Sequence, residues 1–350
     1  MQLFHNDYNV ACHPAILKRL DDTSGLQMGG YGIDDCCDSA TERIHTLCDN
    51  HNLAVHYLVG GTQTNLTVIA ASLRPFQGVV CADTGHINVH ETGAIEATGH
   101  KVMGLPSSDG KIYAAQIERV VEQHDCMDAE HTVQPKMVYI SNPTELGTIY
   151  TLSELRDISA VCKKHNLYLF LDGARLGYGL TAPDSDVTLA DLAKLCDVFY
   201  IGGTKVGAMF GEAVVISHPA IADDFRYMIK QRGAMLAKGW LLGIQFDVLL
   251  KDNLYFDIAR EANKQADMIR GTLAKCGYKF LVETTTNQIF PIMPDCVLDQ
   301  LSEKFTFSEM ERVDAKNRVV RFCTSWATSQ SSVDELCWTI ESLSLKNKEV

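Results

Sequence analysis

No stretch of this chain approaches 18 consecutive apolar residues, so no transmembrane helix is expected. The opening, MQLFHNDYNVACHP, lacks the basic segment and long apolar core of an export signal. Both absences point to a cytoplasmic protein. Basic charge is in short supply: 31 Lys and Arg stand against 44 Asp and Glu, for a net charge of −13. Nucleic-acid binding draws on a basic surface that displaces counterions, so an acidic chain argues against that class. Proline is scarce, and its nine residues form no Pro-rich linker. Repeats and long blocks of like charge are missing too. No Cys-x-x-Cys pair exists among the twelve cysteines, which are scattered singly apart from the adjacent Cys36 and Cys37. Adjacent cysteines rarely close a good bridge. They read as reduced thiols serving as small buried hydrophobes. The clustered Cys/His spacing of a zinc site is absent, and no metal is expected.

What is present is ordinary for a globular chain: 46% apolar and 21% charged residues. A length of 350 residues allows two domains, or three. Helical periods alternate with short apolar runs. Helices are expected over 64–73, 113–123, 151–164 and 188–195, with Thr151 or Ser153 capping the third. Strands are expected over 79–82, 101–105, 136–140, 168–171, 198–201 and 213–217. Short, continuously apolar strands separated by helices predict an α/β fold with a mostly parallel sheet covered on both faces. After residue 217 the texture changes. Residues 219–250 read as one or two long helices with a break near Gly233 or Gly239. A further helix from about 252 and strands over 279–283, 288–291 and 319–323 suggest a smaller α+β domain. The expected division is 1–245 and 246–350.

In open parallel sheets ligands bind beyond the carboxyl ends of the strands. Three features stand at such ends. Gly60-Gly61-Thr62-Gln63-Thr64-Asn65 is a glycine turn opening a helix, where exposed amides can bind phosphate; a plain turn is the bland alternative. Asp172 in LFLDGAR directly follows an apolar run. A buried carboxylate is costly without a cation, and a protonated pyridine nitrogen would supply one; a helix cap is the alternative. Lys205 in YIGGTKVGAMFG lies in a Gly-rich, otherwise apolar stretch. Desolvation favours its neutral amine, the form that bonds to aldehydes; a structural, snorkelling lysine is the alternative. Taken together they read as a pyridoxal phosphate site: cradle, acid for the ring nitrogen, amine for the aldehyde.

The chain resembles the threonine aldolase family of pyridoxal-phosphate enzymes, with the aspartate-aminotransferase-like fold type I. The resemblance runs along essentially the whole sequence. It is sharpest in HND at 5–7, GGYGID at 29–34, GGTQTN at 60–65, TGHINVHETGA at 84–94, LDGAR at 171–175 and GGTKVGA at 202–208. It implies that Lys205 bonds to the cofactor, that Asp172 pairs with the ring nitrogen, and that Gly61, Thr62 and Gln63 hold the phosphate. It places His86 over the ring face. Arg175 falls near the phenolic oxygen and the substrate carboxylate, Arg321 on that carboxylate, and Asn6 and Tyr31 at the edge of the site. It also implies a homodimer or homotetramer with the site at the dimer interface.

Two departures stand out. Many relatives have a second His where this chain has Glu145, which makes Glu145, His86 or a water the candidate base. The phosphate cation could be Arg232 or Lys238. The expected reaction is retro-aldol cleavage of L-threonine, L-allo-threonine or a related β-hydroxy amino acid to glycine and an aldehyde. A β-eliminating lyase is the alternative. His90 is expected to be structural or solvent-facing.

Overall fold

A computed structural model describes residues 1–126 and 128–346. Its centre is a seven-stranded sheet. The strands lie in the order Ala54–Leu58, Glu212–Ile216, Val198–Gly202, Tyr168–Asp172, Gln134–Ser141, Gln77–Ala82, Lys101–Leu105. Every neighbouring pair is parallel except those made by Glu212–Ile216, which runs antiparallel to both of its neighbours. Six strands therefore end at one edge. This is the expected α/β architecture, with one strand of opposite sense that composition does not reveal. Buried on both faces, Glu212–Ile216 is as apolar as its parallel neighbours. The missed strand is Ala54–Leu58. It lies at the sheet edge, is half-exposed for four of its five residues, and carries His56 and Tyr57 in an otherwise apolar run.

Two apolar cores cover the two faces. One gathers Val138, Ile140, Leu169, Leu171, Phe199 and Ile201; the other gathers Val79, Met137, Tyr139, Phe170, Val198 and Tyr200. The alternation along each strand is the period of two that sends successive side chains to opposite faces. Thr151, not Ser153, caps helix Leu152–Lys164, in a reciprocal box with Glu154. The crossover helix is Leu189–Leu195, capped by Thr188 and Asp191 in the same way.

The expected helical region 219–250 resolves into Pro219–Ala222, Phe225–Gln231 and Trp240–Leu249. The break includes both Gly233, at φ 69°, and Gly239, where an added Cβ would lie 2.5 Å from the Gly32 nitrogen. Beyond it, helix Leu254–Cys276 runs from the first core, through Tyr255 and Ala259, into a third core, through Ile269 and Leu273. That third core is completed by a smaller antiparallel sheet around Asn317–Cys323, helix Gln330–Lys346 and Phe4. The expected strand 279–283 is ordered as a strand only at Lys279–Phe280. The expected 288–291 is split into Gln288–Ile289 and Pro291–Pro294, which pair with different parts of Asn317–Cys323.

Candidate active site

The carboxyl edge of the sheet opens into a cleft of about 850 Å³, within the usual range for a small-molecule site. Gly60, Gly61, Thr62, His86, Glu145, Asp172, Arg175, Lys205 and Arg321 all line it. Most of these residues, distant in sequence, meet because they stand at the carboxyl ends of neighbouring strands, while Arg321 comes from strand Asn317–Cys323 of the smaller sheet.

Strand Ala54–Leu58 leads into helix Gly61–Ser72. The first intrahelical bond is from the Thr64 amide to the Gly60 carbonyl, 3.0 Å. The amides of Gly61, Thr62 and Gln63 are therefore left without helical acceptors. Such a helix end attracts anions. A Cβ at Gly61 would lie 3.3 Å from the buried Tyr200 hydroxyl, which faces the Asp172 carboxylate. The Gln63 side chain does not enter the cleft: its Oε1 accepts from the Val59 amide at 3.4 Å. Any part it plays in an anion cradle falls to its backbone.

Asp172 ends its strand and is buried. Its Oδ1 accepts from the Ala174 amide (2.9 Å), and its Oδ2 from Tyr139 (2.5 Å) and Asn65 (3.1 Å). Burial alone would raise its pKa, but charge at His86 and the Tyr139 hydroxyl hold it below the ordinary value. It stays ionised, and among the described residues no Lys or Arg forms an ion pair with it. The loop after Asp172 is fixed by close approach: a Cβ at Gly173 would stand 1.8 Å from the Tyr200 carbonyl oxygen. Only glycine fits there, which accounts for the Gly of LDGAR.

Lys205 follows strand Val198–Gly202 and forms no salt bridge among the described residues. Desolvation and the nearby Arg175 lower its pKa, against the pull of Asp7, Asp172 and Glu212. Beside it stands Glu212, buried, whose carboxylate accepts from the Thr204 hydroxyl (2.9 Å) and the Gly203 amide (3.2 Å). Burial pushes Glu212 up to about 8.

His86 begins a short helix after strand Gln77–Ala82. Its backbone amide donates to Glu145 Oε1 (2.8 Å), which also accepts from Ser141 (2.8 Å). Burial, then the charge on Asp172, raises the Glu145 pKa. The His86 ring is oriented by a different acid: Nδ1 lies 2.8 Å from Glu91 Oε1, which also receives Asn65. Since a carboxylate accepts, Nδ1 carries a proton, and in the neutral ring Nε2 is the free acceptor. His90 is exposed but also lines the cleft, its ring 5.6 Å from that of His86.

Arg175 is held by Asp7 through Nε (2.7 Å) and Nη2 (3.0 Å). Asn287 supports the same carboxylate at 2.9 Å. Arg321 donates to the His5 carbonyl (2.9 Å), Ser308 (3.2 Å) and Gln288 (3.2 Å), while its Nε has no hydrogen-bond partner among the described residues. Both guanidinium groups keep donors free toward the cleft.

Asn6, Tyr31, Arg232 and Lys238 do not line the cleft. Asn6 turns its side chain to the Tyr8 amide at 3.1 Å, and the acid beside it, Asp7, is the residue that reaches the site. Tyr31 lies at φ 62°, its ring 5.2 Å from Lys230 Nζ and its carbonyl bonded to Arg226. Arg232 has a buried Nε without a partner, and Lys238 is exposed. The residues that sequence reasoning passed over are Asp7, Asn65, Glu91, Tyr139, Tyr200 and Glu212. Asp7, Asn65 and Glu91 stand inside the stretches HND, GGTQTN and HETGA, where their polarity among glycines and apolar residues was the available signal. Tyr139, Tyr200 and Glu212 carried none, because strand positions do not announce which face they take.

The residues fit pyridoxal phosphate. The free amides at 61–63 suit a phosphate, the cation-free buried Asp172 suits a protonated ring nitrogen, and the desolvated Lys205 suits an aldehyde.

Comparison with known proteins agrees. The beta-eliminating lyase family model matches residues 25–295. A threonine aldolase structure from Leishmania major is 46% identical, covers 98% of this chain and 100% of that one, and superposes with a TM-score of 0.96. The low specificity L-threonine aldolase of Pseudomonas sp. (strain NCIMB 10558) is 29% identical over 98% of this chain and 97% of its own length. Aspartate aminotransferase of Thermus thermophilus shares 14% identity at a TM-score of 0.72, covering 97% of this chain and 91% of that one, which places the fold alone. The chain belongs to the threonine aldolase family, among the beta-eliminating lyases.

Proposed function

We infer that this protein is a pyridoxal-phosphate-dependent carbon–carbon lyase that cleaves L-threonine or a related β-hydroxy-α-amino acid to glycine and an aldehyde. The observation that carries this reading is the convergence of Asp172, Lys205 and the open helix end at Gly61 on one cleft that also holds two arginines. When bound, pyridoxal phosphate supplies a conjugated ring that accepts the electron pair released at the substrate's Cα. The chain's residues do the rest. Lys205 presents an amine whose desolvated surroundings favour its neutral form. Asp172 holds a proton on the ring nitrogen, and Tyr139 and Asn65 fix its carboxylate. Thr62 and the amides at 61–63 anchor the phosphate end.

Arg321 and Arg175 receive the substrate carboxylate, each oriented by partners outside the cleft. His86 Nε2 accepts the β-hydroxyl proton, with Glu91 holding the tautomer and Glu145 the backbone. Glu145 is then an anchor for His86 rather than the base.

Incubation with L-threonine tests the reading. Acetaldehyde and glycine in equal amounts, without ammonia, support it. Ammonia with a 2-oxo acid would mark a β-eliminating lyase instead.

Among the described residues no helix is long and apolar enough to cross a membrane, and a cytoplasmic location suits such a chain. A homodimer or homotetramer is supported by Tyr8, Val89 and Met310, which are exposed and line the cleft. A second copy would cover them, and it would give Tyr31, Arg232 and Lys238 a site to serve. Sedimentation of the loaded enzyme tests this, and a monomer at working concentration would remove it. The two-domain division near residue 245 stays part of this proposal.

A further inference from the structure

A second cluster of potential ligands lies outside the cleft, where helix Asp35–Cys48 ends and the chain turns toward strand Ala54–Leu58. Glu42 and His45 stand one turn apart on the helix, and His51 comes from the turn. Their ligand atoms all lie within 4.8 Å of one another. His51 Nδ1 is 3.4 Å from Glu42 Oε1, and His45 Nδ1 is 3.8 Å from Glu42 Oε2. Ligands sharing one tetrahedral zinc ion stand about 3.3–3.5 Å apart, from bond lengths of about 2.0–2.2 Å. The Glu42–His51 spacing matches that around a bound ion, and the Glu42–His45 spacing is a little longer.

A second observation concerns the tautomer. His45 Nε2 lies 3.0 Å from the Leu53 carbonyl oxygen. A carbonyl can only accept, so Nε2 carries the hydrogen and Nδ1 offers a bare lone pair toward Glu42. This is the outer hydrogen bond that orients ligating histidines in metal sites. The turn that carries His51 is also fixed. Asp49 caps the helix at φ 52°, the Asn50 amide bonds the His45 carbonyl at 3.1 Å, and the Asn52 amide bonds Asn50 Oδ1 at 2.9 Å. Leu53 is buried behind it. Two imidazoles and one carboxylate are a ligand set for a borderline transition metal; Mg²⁺ and Ca²⁺ favour oxygen alone.

We propose that Glu42, His45 and His51 bind one divalent transition-metal ion of the Zn²⁺ class, with water in the fourth position. The ion fastens the end of helix Asp35–Cys48 to the turn that leads into strand Ala54–Leu58. None of the three residues lines the cleft, so the site stabilises and does not catalyse.

Titration calorimetry of Zn²⁺ into the cofactor-loaded protein tests this. One ion per chain with micromolar affinity is expected, weakened at least tenfold in His51→Ala. His51 is largely exposed, so that variant keeps its fold. The exposed Cys126 and Cys296, which could also take zinc, are unchanged in it. Zn²⁺ should raise the melting midpoint of the wild type and not of His51→Ala. Co²⁺ should show the visible bands of low coordination in the wild type only. Equal Zn²⁺ affinity in both proteins, or no binding in the wild type, overturns the proposal and leaves the three residues as an exposed ion-pair cluster.

Discussion

Glu212→Gln asks whether an acid can be kept protonated beside the cofactor lysine. Glu212 is 3% exposed and lies at the strand end facing Thr204 and Gly203. Burial lifts its pKa from 4.5 to about 8, despite the Thr204 hydroxyl and the charge of Lys205, which pull it down. The unfolded chain gives up this proton near the lower value and the folded chain near the higher one. Between them the folded state holds one proton more, so stability falls as pH rises. The contribution is fully present below 4.5 and is lost as pH climbs through about 8. One proton corresponds to about 1.4 kcal/mol per pH unit. Glutamine can still accept from Thr204, but its amide nitrogen faces the Gly203 N–H. A constant cost of about 1–3 kcal/mol follows at every pH.

The assay is urea unfolding of wild type and variant, from about pH 5.5 to about pH 7.5. The stability advantage of the wild type should shrink by about 2–3 kcal/mol across that span. A difference that stays flat with pH would mean Glu212 is ionised throughout, and the reasoning from burial would fail.

Asp172→Asn should retain the cofactor yet lose turnover by orders of magnitude, read from the visible spectrum together with kcat; a near-normal rate would mean another group protonates the ring. Glu145→Gln keeps an acceptor for Ser141 and the His86 amide, so the acid limb of the kcat profile should persist, and its disappearance would make Glu145 the base. Arg321→Lys preserves charge but not the planar fork, so KM for threonine should rise with the spectrum intact; loss of cofactor at unchanged KM would place Arg321 on the phosphate. Gly173→Ala forces a Cβ into the Tyr200 carbonyl and should cost upwards of about 4 kcal/mol or prevent folding; a melting midpoint like the wild type's would show that the loop can move aside.

Much of the fold was legible because its central strands are buried on both faces and so read as apolar runs. Strand Ala54–Leu58 escaped because an edge strand has no such run. Helix Asp35–Cys48 was unread because DCCDSATERIHTLC mixes cysteines with charge, although Asp34 caps it through two amides. In the site, Lys205 and Asp172 were legible from glycine-rich and apolar surroundings that make a charge conspicuous. The partners that set their behaviour were not. Asn65 reaches Asp172 across 107 residues of sequence, Glu91 reaches Asn65 across 26 and Asp7 reaches Arg175 across 168, and no local pattern encodes such pairings. Asn6 and Tyr31 were matched by resemblance alone, and neither lines this chain's own cleft.

The first seven residues act as a harness. Phe4 is anchored in the core of the smaller sheet, the His5 carbonyl holds Arg321, and Asp7 holds Arg175. One short ribbon thus keeps both arginines in place and ties them to the same anchor. Trimming it would strip both of their holders at a stroke, while Asp172, Glu212 and the helix end at Gly61 stayed in place. A shortened version should therefore look healthy by colour and fail by affinity for its amino acid, a mismatch worth checking before any variant is judged inactive.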